Sequence, residues 1–373
     1  MKHFILALTF FGIATFSSAQ IKYDGVFGKG LNFETNDGSF AVKFGTRIQP
    51  RWDFIFDIEE NTYTDRMTVK RARLKFDGFF INKDLRYKME YDVVGGYVRD
   101  AVIKYRFAPK WDLWFGQTKL PSNRERIISS GNLEFVDRSV FNTFYTLDRD
   151  LGFQIRNNFK IGKVLIKDDW AISAGNGILD LRSSKGVDFT GKVSVFPMGE
   201  FTKKGDYIGA DIYREEKPKL VVSFGADYNI SAYKSNGQVG TRTGGEEDLF
   251  LLFGDMLFKH KGLSIMVEAA QRSTPNGTAL VSGPEGDILG SFYTGWGMNL
   301  QSGYVFKKMW GVSGRYAFTN PNVDYYRSIE DITLALSKYI VGHKFKIQTD
   351  FTYRQTEGED DLIIGRFQME MHF

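Results

Sequence analysis

The amino-acid sequence predicts an all-β chain that closes as a transmembrane antiparallel β-barrel of about sixteen strands. Three observations carry this. Polar and apolar residues alternate with a period of two almost throughout the 373 residues. The connections sort by parity, mostly tight after even-numbered segments and often long after odd-numbered ones, as in bacterial outer-membrane barrels. The polar faces are rich in cations: in "VKRARLKF", Val69, Arg71, Arg73 and Lys75 share one face, and Lys70, Ala72, Leu74 and Phe76 the other. A soluble sheet would bury the greasy face. A membrane barrel turns it to lipid and lets the cations line a wet lumen.

The first residues give the compartment. "MKHFILALTFFGIATFSSAQ" has a Lys2/His3 start, an apolar run from Phe4 to Phe16, and Ser17-Ser18-Ala19 before Gln20. That pattern predicts a signal peptide over 1–19, too short to span a bilayer, with Gln20 as the mature start. Beyond it no apolar stretch is long enough for a membrane helix. Cysteine is absent, which excludes disulfide and thiol chemistry. The formal net charge is only +4, so any functional charge must lie in its arrangement. With 34 Phe, 18 Tyr and 39 Gly against 8 Pro, the composition suits a large β protein.

Residues 20–38 read as an irregular, Gly-rich periplasmic leader and 39–373 as the barrel. Strand-like segments follow at 41–57, 67–80, 85–94, 98–107, 111–119, 151–160, 164–174, 188–197, 219–231, 247–258, 263–272, 292–306, 311–318, 329–340, 345–356 and 362–373. The long connections are 120–150, 175–187, 232–246 and 273–291. Residues 198–218 are long where a tight turn is expected, and 95–97 are short where a loop could be long. The closing tract "GRFQMEMHF" puts Phe367, Met369, Met371 and Phe373 on one face, the usual signature of a terminal barrel strand.

The same alternation runs through other strands. Lys43, Arg47, Gln49, Arg51 and Asp53 oppose Val42, Phe44, Ile48, Trp52 and Phe54; Lys344, Lys346, Gln348, Asp350 and Arg354 oppose Phe345, Ile347, Phe351 and Tyr353. Over strands 1–4, 15 and 16 the inferred lumen faces carry fourteen bases against six acids. The acids concentrate in loops such as "IEENTYTD", "GGEEDLF" and "TEGEDD". Trp52, Trp111, Trp114, Tyr91, Tyr97, Phe79 and Phe80 lie near strand ends, where aromatic girdles sit.

Catalytic signatures are missing. There is no G-x-S-x-G elbow and no H-E-x-x-H pair, and beyond the signal only His260, His343 and His372 remain, far apart. The isolated Gly28-Lys29-Gly30 and Gly295-Trp296-Gly297 lack the strand–turn–helix context of a nucleotide site. The sequence therefore predicts no enzyme, no cofactor, no metal and no nucleic-acid partner.

The ordered tracts "KRARLKFDGFF", "DLRYKMEYD", "DLWFGQTKLPSNRERIISSGNLEFVDRS" and "RDLGFQIRN" resemble the phosphate-selective porin O and P family, most strongly over Gly28 to Asn158. The resemblance implies a trimeric, sixteen-stranded outer-membrane barrel whose third outer loop, here 120–149, folds into the pore as a constriction. It also implies Arg and Lys along the channel wall and at the constriction. Here the wall offers Arg47, Arg51, Arg71, Arg73, Lys75 and Lys104, and the loop region offers Lys119, Arg124, Arg126 and Arg138. The expected activity is a water-filled channel that prefers anions, with phosphate or polyphosphate as solutes and membrane lipid around it. Rings of Arg and Lys are the recognised device for such pores. A second reading is a plugged structural or adhesive barrel without channel activity.

Overall fold

The computed structural model describes residues 20–22, 27–178, 180 and 186–373; the expected signal at 1–19 lies outside them. Sixteen strands form the wall: β1 (Phe40–Asp57), β2 (Thr62–Phe80), β3 (Asn82–Asp92), β4 (Tyr97–Ala108), β5 (Trp111–Lys119), β6 (Arg149–Ile161), β7 (Val164–Ser173), β8 (Asp188–Phe196), β9 (Lys219–Asn236), β10 (Val239–His260), β11 (Leu263–Ser273), β12 (Gly295–Val305), β13 (Trp310–Pro321), β14 (Ile329–Tyr339), β15 (Phe345–Thr356) and β16 (Leu362–His372). Each pairs antiparallel with the next, and β16 returns to β1 from Leu362↔Asp57 to His372↔Arg47. All sixteen overlap the segments read from the alternation, though β2 starts five residues earlier and β9 and β10 run past the bounds read for them.

The polarity of an ordinary core is inverted. On β1, Arg47 and Gln49 are 0% exposed while Ile48 is 43% exposed; on β16, Gln368 and Glu370 are 0% exposed while Met369 is 42% exposed. The outward face is apolar and aromatic, with Phe224 the most exposed phenylalanine among the described residues at 69% and Phe115 and Phe153 stacked at 4.4 Å. With an apolar exterior, the charged side chains have only the interior in which to stay hydrated or paired.

Two of the register shifts in the wall bring extra cations to the inner face. In β2 the register jumps from Gln49↔Arg71 to Pro50↔Val69, leaving Lys70 as the extra residue. Pro50 has no N–H to give to a ladder, so pairing slips there. Val69 consequently faces outward, 48% exposed, and Lys70 joins Arg71 on the inner face. This corrects the simple alternation of "VKRARLKF", which put Val69 inside and Lys70 outside. In β4 the register jumps from Glu90↔Asp100 to Tyr91↔Val98, and Arg99 is the extra residue.

The connections also depart from expectation. Residues 232–246 are no loop: β9 and β10 continue as a hairpin to a two-residue turn at Gly237 (φ +78°) and Gln238. Its register shifts three times between Asn229 and Asn236, so no regular period marks it, although Ala232, Tyr233 and Gln238 are buried. Residues 274–294 carry a small hairpin, Leu280–Ser282 with Ile288–Ser291. The leader includes a strand, Leu31–Glu34, paired with β1 at Ala41–Phe44 below the end of β16, and Gln20–Lys22 pairs with that strand. The long 197–218 connection, at the end with the tight turns, folds up against the inside of the barrel. The buried Lys259 ammonium donates to the carbonyls of Gly205, Ile208 and Ala210 at 2.8–3.0 Å.

Inserting charge on the outer face tests this orientation. Leu74→Arg should lower stability by roughly 2–4 kcal/mol at the bilayer midplane, less near an interface, read by urea-titrated refolding into lipid. Val69→Arg should be similarly costly. A Val69→Arg variant as stable as wild type would mean that the β2 bulge is absent and Val69 faces water.

Candidate functional site

The loop from 120 to 148, third at the long-loop end, enters the barrel and is fastened on many sides. Its local structure is a short helical turn α1 (Arg124–Ile127), a 3-10 turn at Ser130–Asn132, and α2 (Val140–Phe144), whose N-cap Ser139 accepts from the Asn142 N–H at 3.2 Å. Ile128 and Leu133 pack with Leu165, Phe196, Val221 and Leu257 low in the barrel. Phe141 and Tyr145 pack with Leu251, Phe253 and Tyr293 higher up. Arg124 binds Asp255 (3.0 Å) and Ser223 (2.7 Å), and Glu268 accepts from the Glu125 N–H (2.7 Å). The loop tip meets the wall and the 197–218 segment at glycines. A Cβ on Gly131 would lie 2.6 Å from Glu370 Oε1, and one on Gly209 would lie 2.7 Å from the Glu134 nitrogen. Loop and connection together fill the lumen beside β9–β16 and β1.

What remains open lies against β2–β8. A cavity of about 510 Å³ between the loop and β2–β6 is lined by ten bases: Lys70, Arg71, Arg73, Lys75, Lys88, Arg99, Lys119, Arg126, Arg138 and Arg149. Only three acids line it, Glu90, Asp92 and Asp148. A second cavity, about 170 Å³, continues toward the tight turns along Lys104, Trp114, Arg156, Lys167 and Phe196. The two share Lys88, Lys119 and Ile127, so they meet.

The acids are committed. Glu90 and Asp92 pair with Arg73 at 3.0 and 3.4 Å, Asp148 pairs with Arg126 and, at 3.3 Å, with Arg149, and Asp100 binds Lys88 (2.8 Å) and Arg149 (3.0 Å). Four lining cations have no ion pair among the described residues. Lys119 donates to the Arg126 carbonyl (2.6 Å), Arg138 to the carbonyls of Glu125 (3.2 Å) and Ile128 (2.9 Å), Lys104 stands 3.9 Å from the Trp114 ring centroid, and Lys70 faces the larger cavity.

Of the ten residues singled out in the sequence, Arg71, Arg73, Lys75, Lys119, Arg126 and Arg138 line the larger cavity, and Lys104, Lys119 and Arg124 the smaller. Arg47 and Arg51 line neither. Both point inward but lie under the loop: Arg47 is held by Ser130 (2.7 Å) and Glu370 (2.7 Å), and Arg51 by Asp53 (2.8 Å) and Asp137 (2.6 Å). Trp114 and Tyr97, read as girdle aromatics, face the lumen. The strand readings passed over Lys70 and Arg99, which the bulges deliver, and Arg149, Arg156, Lys167 and Lys192. Pro50 was the one local signal for the first bulge; alternation in β6–β8 would have found Arg156, Lys167 and Lys192, whereas Arg149 stands on the opposite parity from Arg156. The carboxylates of Asp57, Glu59 and Asp360 gather at the exposed long-loop rim and are not part of this lumen.

Residues 42–176 match the phosphate-selective porin O and P family. The matched segment runs from β1 to just past β7 and contains every residue lining the larger cavity; the far wall of the smaller one, from Lys192 to Tyr207, lies outside it. No curated protein sequence matches the chain. The fold is similar to that of the outer membrane channel DcaP of Acinetobacter baumannii (TM-score 0.59, 13% identity, covering 91% of this chain and 99% of that one). It is similar too to OmpT of Vibrio cholerae in a trimer form (0.55, 11%, 90% and 100%) and to an anion-selective porin from Comamonas acidovorans (0.55, 10%, 90% and 100%). At these identities the likeness is one of fold.

Arg47 separates fastening from selectivity. Both it and Glu370 are 0% exposed. Arg47→Met should cost about 3–5 kcal/mol by stranding a buried carboxylate, measured by urea titration. The ion selectivity of whatever folds should be unchanged. A large selectivity change at unaltered stability would put Arg47 in the pore.

Proposed function

We propose that the chain forms a water-filled outer-membrane porin channel that prefers anions and accepts phosphate. The observation that carries this is the excess of ten bases over three acids around the larger cavity. A sphere of about 510 Å³ is roughly 10 Å across, about one Debye length at 0.1 M salt, so an ion inside feels every wall charge. Free cations in a low-dielectric wall raise the local anion concentration and repel cations. Arg71, Arg73, Arg99, Arg126, Arg138 and Arg149 offer planar forks suited to two phosphate oxygens, while the lysines act as point charges. Sharing the load over several sites keeps each weak enough for the ion to leave. The family match over 42–176 supports the channel reading and bacterial outer-membrane placement. The Vibrio OmpT trimer supports a homotrimer.

A plugged barrel is the competing reading, favoured by the loop and the 197–218 segment both packing into the lumen. Conductance in a planar bilayer separates the two. Under a KCl gradient the reversal potential should show chloride passing more readily than potassium. Lys70→Gln with Lys104→Gln should move it toward zero without loss of folded barrel, because neither cation holds an ion pair. No conductance would favour the plugged barrel, and a cation-selective potential would reject anion preference.

A further inference from the structure

We propose that the smaller cavity binds organic anions with a flat apolar body, an aromatic carboxylate being the simplest, in preference to inorganic phosphate or chloride. This rests on the anion-channel reading and names a solute class for its inner half. Three aromatic rings converge there, Trp114 from β5, Phe196 from the end of β8 and Tyr207 from the 197–218 connection, a combination absent from the larger cavity. Each carries a cation at its face. Lys104 and Arg156 stand 3.9 and 4.1 Å from the Trp114 centroid; Lys167 stands 4.5 Å from that of Phe196 and 5.2 Å from that of Tyr207. Arg156 and Lys167 also have carboxylate partners, Asp169 at 3.7 Å and Asp206 at 2.8 Å, whereas Lys104 has none and is open to a carboxylate. The Trp114 indole N–H is buried without an acceptor and can donate to the same group.

The size agrees. The cavity is about 170 Å³, and one of ~150 Å³ takes a benzene-sized ring. Inorganic phosphate offers charge but no apolar surface, so the rings gain nothing from it. A carboxylate on a ring meets both halves of the lining, the charge at Lys104 and the ring against the aromatic and aliphatic wall. The aromatic wall draws on residues outside the family-matched segment, so this half of the lumen can differ in solute from the half above it.

The test uses the full-length protein in planar bilayers, with benzoate, acetate and phosphate as probes of the chloride current. Benzoate should reduce the current at a concentration roughly tenfold below that of acetate, the ratio expected when about 55 Å² of ring leaves water. Trp114→Ala should bring benzoate to the level of acetate, and Trp114→Phe should recover part of the difference. Equal blocking by benzoate and acetate in the wild type would overturn the proposal, whether or not any variant folds. So would a Trp114→Ala channel that still distinguishes them. A cation-selective wild-type channel would instead remove the anion reading itself, and the reversal potential reports that separately.

Discussion

The rest of the structure depends on the closure of the hydrogen-bond ladder between β16 and β1. Against lipid, each unpaired backbone N–H or C=O costs several kcal/mol, so a sheet can survive there only without edges. Closure fixes an inside and an outside, and the pleat then assigns alternate residues to each. Charged side chains have one destination under that rule. The lumen becomes the place where the chain's electrostatics are decided, and its shape depends on what else the chain places there.

The strands were legible because lipid contact imposes a period of two over many residues. One-residue events were not. The bulge at Lys70 turns Val69 outward and lines up Lys70, Arg71, Arg73 and Lys75 inside; nothing in "VKRARLKF" itself says so, and only the partner residue Pro50 hints at it. The bulge at Arg99 left no comparable trace. The hairpin over 232–246 was unreadable for a related reason, since three register shifts between Asn229 and Asn236 break any period of two. Trp114 and Tyr97 show the limit of reading aromatics by their distance from a strand end, because the pleat decides which way they point.

Location around the barrel was the larger gap. Over strands 1–4, 15 and 16 the patterns gave fourteen inward bases against six acids, one arc of surplus charge. The loop route splits the wall into two unlike sides. Beside β13–β16 and β1 the bases are spent on fastening: Arg366 holds Asp350 at 2.6 Å, Arg354 holds Asp331 at 2.7 Å, and Arg47 and Arg51 grip Glu370 and Asp137. Beside β2–β8 they surround open space. A strand's own sequence does not contain the path of a loop that crosses in front of it.

That path links fold to charge in a second way. A loop buried in a lumen must satisfy its own carbonyls, and here cations do much of it. Lys192 donates to Ser122 at 2.6 Å, Lys119 to Arg126 at 2.6 Å, Lys346 to Leu133 at 3.0 Å, and Arg138 to Ile128 at 2.9 Å. A carbonyl satisfies a donor without neutralising it, whereas a carboxylate does both. Lys119 and Arg138 therefore hold the loop in place by carbonyls rather than carboxylates, at the wall of the cavity they line. The same bonds that fix the loop's path leave these side chains without a carboxylate partner, so the route of the loop and the charge balance of the wall are set together.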